Sequence, residues 1–454
     1  MKEGLFKGFF LKIKEKLSGY QIAVILYVSV ILLGSALLSI PAASKSGAAP
    51  SYLDCLFTSA SATCVTGLTV ADTFLQWSLF GQIIILTLVQ AGGLGFMTVM
   101  TFILLLLKGR LSLSETSLFL QSAGGGVLSS GKKLVKNIIL WTFACELLGT
   151  ALLCIRFCQD FGAEGIWISL FTAVSAICNA GFDLMGRFGE NSSLIVYSSD
   201  ALVLLTVIFL MFLGSVGFLA LSDAAANKGK WKKYSLQTKI IFSLSFALII
   251  LGAVSFMALE WNGVLEGKSF GEKLLCSLFS SVSPRTAGYF VVKTSSLSDA
   301  ARFLTVALMF IGGSPGGTAG GIKTTTFLVL FLSVFSQMKR RSSITVCKRR
   351  IDGEALPQAA AVASLYLTLI TLCTVIILAV EKLPLSDALF EVVSAIGTVG
   401  LTTGITQSLS ALSKIILMFL MLAGRVGVLS VALVFSRKKG IAPLDRPTEK
   451  ITVG

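Results

Sequence analysis

Four short segments of the chain carry residue patterns whose chemistry lies in the backbone rather than in side chains. They read LFTSASATCVTGL (56–68), LFTAVSAICNAGF (170–182), LFSSVSPRTAGYF (278–290) and LFEVVSAIGTVGL (389–401). Each opens on Leu-Phe, passes through a short semi-apolar stretch with serine, and reaches a glycine: Gly67, Gly181, Gly288 or Gly400. Glycine admits positive φ and close approach of neighbouring chains, so it can turn carbonyl oxygens toward a common axis. A ring of such oxygens replaces the hydration shell of a dehydrated cation. The residues beside the glycines are uncharged: Val65 and Thr66, Asn179 and Ala180, Thr286 and Ala287, Thr398 and Val399. A divalent site would recruit Asp or Glu, so the pattern leans toward a backbone-oxygen filter for a monovalent cation. For one glycine alone, tight helix packing would be the simpler reading. Recurrence at four matching positions reverses that preference.

A second element follows each glycine, a G-x-x-G inside an apolar run: Gly92–Phe96, Gly214–Phe218, Gly313–Gly317 and Gly424–Val428. The first two are read as close helix packing. The third lies in a stretch with six glycines and a proline: Gly312, Gly313, Ser314, Pro315, Gly316, Gly317, Thr318, Ala319, Gly320 and Gly321. Each glycine costs a helix about 1 kcal/mol and the proline about 3, so this span should break into two pieces joined by a link at mid-membrane. A link just below a filter is a plausible gate. Lys323 and Arg425 are charges at membrane depth, where charge is costly and usually functional. Arg425 is expected to contact carbonyls of the link and help set its closed position. Lys323 is balanced between that kind of role and snorkelling to the interface.

The elements that must position these residues follow from composition. Of 454 residues 54% are hydrophobic and 13% charged, about half the charge of a soluble domain. Uncharged stretches such as 21–43, 80–107, 201–221 and 240–259 reach the roughly 20 residues that cross a bilayer. The Leu-Phe segments are too short to cross and are read as re-entrant. The four glycines are separated by 114, 107 and 112 residues, near a quarter of the chain. The expected fold is therefore an all-α polytopic membrane protein. Four parallel helix–pore-loop–helix repeats surround one central pore, with eight spanning helices and loops dipping in from outside. The segments are a cytoplasmic N-terminal stretch (1–18), repeat 1 (19–110), repeat 2 (111–226), repeat 3 with its broken second helix (227–350), repeat 4 (351–440) and a cytoplasmic tail (441–454).

The formal net charge of +15 is concentrated in five clusters: Lys2–Lys16, Lys108–Lys136, Lys228–Lys239, Lys339–Arg350 and Arg437–Lys450. They alternate with poorly charged segments, the positive-inside pattern. Both termini are thereby placed in the cytoplasm, membrane lipids are the expected partner of this charge, and nucleic acid is not. No cleavable signal is read at the N-terminus. Histidine is absent and the nine cysteines form no CxxC pair, which argues against zinc, haem and imidazole chemistry. The stretch 316–324 resembles a phosphate loop, but Ile322 separates Gly321 from Lys323 and no strand precedes it. No enzyme activity and no cofactor of this chain are expected. Glu146, inside an apolar span, is read as the partner of a polar neighbour.

The motifs SPRTAGY (283–289), GGSPGGTAGGIKT (312–324) and AGR-x-G (423–427) make the chain resemble the Trk/Ktr/HKT potassium transporter superfamily, most closely the bacterial Ktr-type membrane subunit. The resemblance covers roughly Gly19 to Lys439. It implies potassium uptake across the plasma membrane, sodium-stimulated in some members, with one filter glycine per repeat at Gly67, Gly181, Gly288 and Gly400. It also implies an intramembrane gating loop at Gly312–Gly321, faced by Arg425. A homodimer on a cytosolic nucleotide-binding ring is implied too, with potassium as substrate and sodium possible. The alternatives are the pore subunit of an ATP-driven potassium pump and a sodium/potassium symporter of relaxed selectivity. Cys64 and Cys178, which stand before the first two filter triplets, have packing as their default role.

Overall fold

The computed structural model describes residues 19–95, 131–341, 343–347 and 349–434. Both chain termini, the junction of repeats 1 and 2, the whole first and fifth basic clusters, and Lys108 and Arg110 of the second lie outside these residues.

One long apolar helix comes first in each repeat: α1 (Gly19–Leu38), α4 (Gly131–Phe161), α8 (Leu236–Leu259) and α12 (Ala355–Glu381). Each is long and apolar enough to span a bilayer. Only about a third or less of each is buried within the chain. Side chains such as Leu33, Leu147 and Leu251 stay largely exposed. An apolar face of that extent is what hydrocarbon covers. The protein is thus a multi-pass helical membrane protein.

The first helix of each repeat leads into a shorter pore helix: α2 (Tyr52–Thr63), α5 (Glu164–Cys178), α9 (Phe270–Val282) or α13 (Leu385–Gly397). These carry the Leu-Phe motifs, and their Phe side chains (Phe57, Phe171, Phe279, Phe390) are fully buried. After the glycine loop the chain enters a second helix: α3 (Leu79–Gly93), α6 (Ala201–Val216), α10 (Asp299–Phe310) or α14 (Ala411–Val426). All four second helices start on a side-chain N-cap, Ser78, Asp200, Ser298 and Ser410. Such a cap contributes about 1 kcal/mol by satisfying otherwise free N–H groups. In repeats 3 and 4 a glutamate at the end of the first helix clamps that cap. Glu260 accepts from Ser298 N and Oγ (2.8 and 2.6 Å), and Glu381 from Ser410 N and Oγ (2.9 and 2.5 Å).

Packing between repeats is cyclic. The second helix of each repeat lies against the pore helix of the next: α3 on α5, α6 on α9, α10 on α13, and α14 back on α2. That closure is what four parallel repeats about one axis require.

Two expectations need correction. Among the described residues, the second helices of repeats 2 and 4 are not continuous spans. Of the described helices four cross by length and composition alone, or six if each bent pair counts as one span. The break is also not confined to repeat 3. α6 turns by 95° into α7 (Phe218–Ala226), and α14 turns by 100° into α15 (Val428–Val434). The turns occur at Gly217 (φ +94°) and Gly427 (φ +97°), left-handed positions that glycine tolerates. Gly217 is therefore a break, while Gly214, inside α6, packs closely on Ile177 O, as a packing glycine should. In repeat 3, α10 and α11 (Thr324–Met338) are separated by the link 311–323, as glycine density predicts. A short hairpin, β1 (Thr345–Val346) with β2 (Arg349–Arg350), precedes α12.

The breaks in repeats 2 and 3 explain each other. Interrupting a helix at membrane depth frees backbone groups that lipid cannot satisfy. Here Ser314 N donates to Ser215 O (2.9 Å), Thr318 N to Gly214 O (3.1 Å), and Phe218 N to Gly316 O (3.0 Å). The link of one repeat thus fills the hydrogen-bonding needs of the bend in the other.

Candidate functional site

The four pore helices end within a few residues of the four glycines, so four helix C-termini converge on the loops. Each carries the equivalent of about half a negative charge. Beyond them the backbone follows one pattern. The residue two before each glycine has positive φ (Val65 58°, Asn179 56°, Thr286 86°, Thr398 51°), and so does the glycine (Gly67 90°, Gly181 70°, Gly288 78°, Gly400 91°). The residue between them does not. Alternating handedness brings successive carbonyls to one side of a strand, whereas an ordinary extended strand sends them to opposite sides.

A repeated serine holds this conformation, and the sequence had offered it only as part of a semi-apolar stretch. The fifth residue after each motif leucine is Ser61, Ser175, Ser283 or Ser394. Its carbonyl accepts from the residue before the glycine: Thr66 N to Ser61 O (2.8 Å), Ala180 N to Ser175 O (2.8 Å), Ala287 N to Ser283 O (2.9 Å) and Val399 N to Ser394 O (2.8 Å). In repeats 1 and 4 the serine hydroxyl also takes the glycine N–H, at 3.1 Å in both. The invariant spacing of that serine in all four segments was the available signal.

Nine of the twelve N–H groups at these positions are therefore tied back to the pore helices while the carbonyls are not. Among the described residues, none of the twelve carbonyl oxygens of 65–67, 179–181, 286–288 and 398–400 accepts a hydrogen bond. The Oγ1 atoms of Thr66, Thr286 and Thr398 are likewise buried without a partner. Unpaired buried oxygens at this density are foreign to ordinary protein interior.

The loops touch in cyclic order. A Cβ on Gly67 would strike the carbonyl of Ala180, one on Gly181 that of Ala287, one on Gly288 that of Val399, and one on Gly400 that of Thr66. Eight of the twelve residues expected at a filter are thereby brought to one ring, and Val65, Asn179, Thr286 and Thr398 directly precede them in the chain.

The link of repeat 3 lies against one end of this ring. The Asn179 amide is 2.7 Å from Thr318 Oγ1, and a Cβ on Gly320 would strike the Thr398 side chain. Thr318 Oγ1 also reaches Ile177 O (3.2 Å). Gly312 packs against Gly320 and Gly321, and Ile311 pairs with Ile322, so the link doubles back on itself. Arg425, in the last turn of α14, donates to Thr318 O, to Gly92 O and, at 3.2 Å, to Gly93 O. The last two are carbonyls at the end of α3, of which Gly92 O also accepts from Gly95 N (3.1 Å). Lys323 turns back to Ala319 O (2.6 Å) instead of reaching toward an interface. Glu146 accepts from Gln90 Nε2 (2.8 Å), whose Oε1 lies 3.6 Å from Cys178 Sγ.

Comparison with known proteins places this geometry. The family model of the cation transport protein TrkH matches residues 15–441. The potassium/sodium uptake protein NtpJ of Enterococcus hirae is 35% identical over 98% of this chain and 99% of its own. The Ktr system potassium uptake protein D of Bacillus subtilis is also 35% identical, over 98% and 99%. Among solved structures, the potassium transporter TrkH of Vibrio parahaemolyticus superposes with a TM-score of 0.73 at 20% identity, covering 92% of this chain and 85% of that one.

Proposed function

The chain belongs to the TrkH family of cation transport proteins, and on that premise we propose that it takes up potassium through the ring of backbone carbonyls around Gly67, Gly181, Gly288 and Gly400. As a member of a transport family it is not an enzyme. The observation that carries the filter reading is the set of twelve unpaired carbonyls beside N–H groups pinned to the pore helices. Oxygens so held offer a cation a replacement for its water at no further ordering cost. Convergent helix C-termini add a favourable potential, and no formal charge stands in the ring, which suits a monovalent ion.

The link 311–323 is the gate of this reading, and Arg425 is its latch. The link spans from the bend of repeat 2 to Thr398 of repeat 4, so a cation leaving the ring meets it first. Glycine density makes it the segment of the pathway with the lowest barrier to rearrangement. A relative named for both potassium and sodium uptake favours sodium as a second ion, either stimulating or carried. Assembly as a homodimer on a cytosolic nucleotide-binding ring carries over from the family likeness. In this reading both termini are cytoplasmic and the outer ends of the pore helices face outward.

Rubidium uptake in cells lacking their own potassium transporters tests the filter, comparing wild type with Gly288→Ser at equal membrane expression and with sodium as competitor. Reduced uptake or lost discrimination against sodium is expected. Uptake indistinguishable from wild type would return Gly288 to a packing role. Silence of wild type is resolved by co-expressing a cytosolic ring subunit of the Ktr type, and continued silence then counts against the uptake reading.

A further inference from the structure

The four quadrants are alike in backbone but not in what stands behind them. Two residues after each motif leucine the pore helices carry Thr58, Thr172, Ser280 and Glu391. Three slots hold a small hydroxyl; the fourth holds a carboxylate with no measurable exposure. Among the described residues no Lys or Arg pairs with it. Its partners are all in the segment that leaves the ring. Thr402 Oγ1 donates to Glu391 Oε1, and Thr406 Oγ1 lies 3.2 and 3.1 Å from the two carboxylate oxygens. The Thr403 N–H also points to it. Thr402 Oγ1 in turn takes Gly404 N at 2.9 Å and lies 2.8 Å from Thr406 Oγ1. One carboxylate therefore organises the whole turn 402–406, beginning two residues beyond Gly400.

A buried carboxylate is costly, and hydroxyl and backbone N–H donors offset less of that cost than a cation would. An apolar residue would fold more cheaply here, so the group calls for a role that packing does not explain. The other exits are pinned differently. In repeat 3 Ser283 Oγ donates to Tyr289 O, and in repeat 2 Phe182 O accepts from Tyr289 Oη (3.0 Å). In repeats 2 and 3 the exit residue is fixed by these bonds, and in the fourth quadrant the fixing comes from Glu391.

Resting on the filter reading above, we propose that Glu391 is a positioning residue for ion selection: by clamping Thr402–Thr406 it fixes where the Val399 and Gly400 carbonyls stand, and so sets discrimination between potassium and sodium. A carbonyl ring rejects the smaller ion only if it does not close in on it. Loosening one quadrant therefore admits sodium before it abolishes transport.

The test measures rubidium uptake and its inhibition by sodium for Glu391→Gln, Glu391→Val, Thr402→Val and Thr402→Ser, with Gly400→Ser alongside, at matched surface expression. Glutamine still accepts from Thr402 and donates to Thr406, and serine keeps the hydroxyl, so both should retain discrimination. Glu391→Val and Thr402→Val should lose it by on the order of tenfold, the effect of one or two buried hydrogen bonds, while maximal uptake falls less. Should Glu391→Val fail to reach the membrane, Thr402→Val against Thr402→Ser decides. Unchanged discrimination in the valine variants, with Gly400→Ser impaired, would overturn the clamp and leave the filter standing. Normal behaviour of Gly400→Ser as well would overturn the filter itself. Equal loss in Glu391→Gln and Glu391→Val would overturn positioning by hydrogen bonds and assign the effect to the charge.

Discussion

Replacing Arg425 by alanine should turn a restrained transporter into a faster and leakier one. The guanidinium makes three contacts, and only the one to Thr318 O reaches the link. The other two, to Gly92 O and Gly93 O, anchor the side chain on the end of α3. A hydrogen bond from a charged donor contributes about 1.5–3 kcal/mol. Losing it shifts the balance between docked and displaced link by roughly ten- to a hundredfold. The remaining ties, Thr318 N to Gly214 O and Ser314 N to Ser215 O, keep the displaced form from becoming the only one. The measurement is the initial rate of rubidium uptake at saturating rubidium, in cells and in proteoliposomes, at equal protein. The maximal rate should rise with little change in the concentration for half-saturation, because the ring is untouched. Arg425→Lys should lie between, since one ammonium cannot serve three carbonyls on two elements as a planar fork does. A maximal rate equal to wild type in Arg425→Ala would refute the latch. So would a change confined to half-saturation, which would move Arg425 into the ion-binding machinery.

Alanine at Gly67 or Gly400 should abolish uptake, because each sits at positive φ with its Cβ aimed at a neighbouring carbonyl; surface-normalised uptake near wild type would contradict the ring. Ser394→Ala strips the Gly400 N–H of its acceptor and should cost about 1–3 kcal/mol, read as a lower melting temperature of the detergent-purified protein. Burial, with the charge of Asp72 adding to it, pushes the Asp183 carboxyl up to about 7. The folded state therefore favours its protonated form, and stability should fall as pH rises through 7, in a thermal-shift series that Asp183→Asn flattens. The carboxyl of Glu272, in a reciprocal cap with Ser269, is held below its ordinary range by the Ser269 N–H and hydroxyl. Its stabilisation should persist from neutral pH down to the ordinary carboxylate range and vanish only below it, and Glu272→Gln should remove that acid limb.

Much of this architecture can be read from the chain because its strongest constraints are local. Glycine at a left-handed position cannot be replaced cheaply, so four of them at matching spacing expose the ring. Six glycines in ten residues cannot stay helical, so the link declares itself. The bends at Gly217 and Gly427 stay hidden for the opposite reason. Each belongs to a G-x-x-G pair that close helix packing explains as readily as a bend, and a helix can absorb one glycine for about 1 kcal/mol. What breaks α6 is tertiary: the link of repeat 3 docks into it and supplies partners for the freed groups. Eight spans with a break in repeat 3 alone are what hydropathy and glycine density predict, and hydropathy does not register a right-angle turn. Glu391 was passed over because its motif was read for the glycine, and its three counterparts are unremarkable hydroxyl residues.

The docking of the link has a consequence for how such a pathway can be built at all. From the bend of repeat 2 it runs across to Thr398 of repeat 4 and takes Arg425 from the same quarter, so it occupies the mouth of the ring from side to side. Four copies of that segment would collide on the axis. A channel assembled from four identical subunits could not carry it, because any feature given to one subunit is given to all. Joining the quarters into one polypeptide removes that restriction: a single bar can cross the opening, with its receptor on one neighbour and its fastening on another. The departures from fourfold likeness are the places where this molecule differs from a plain pore.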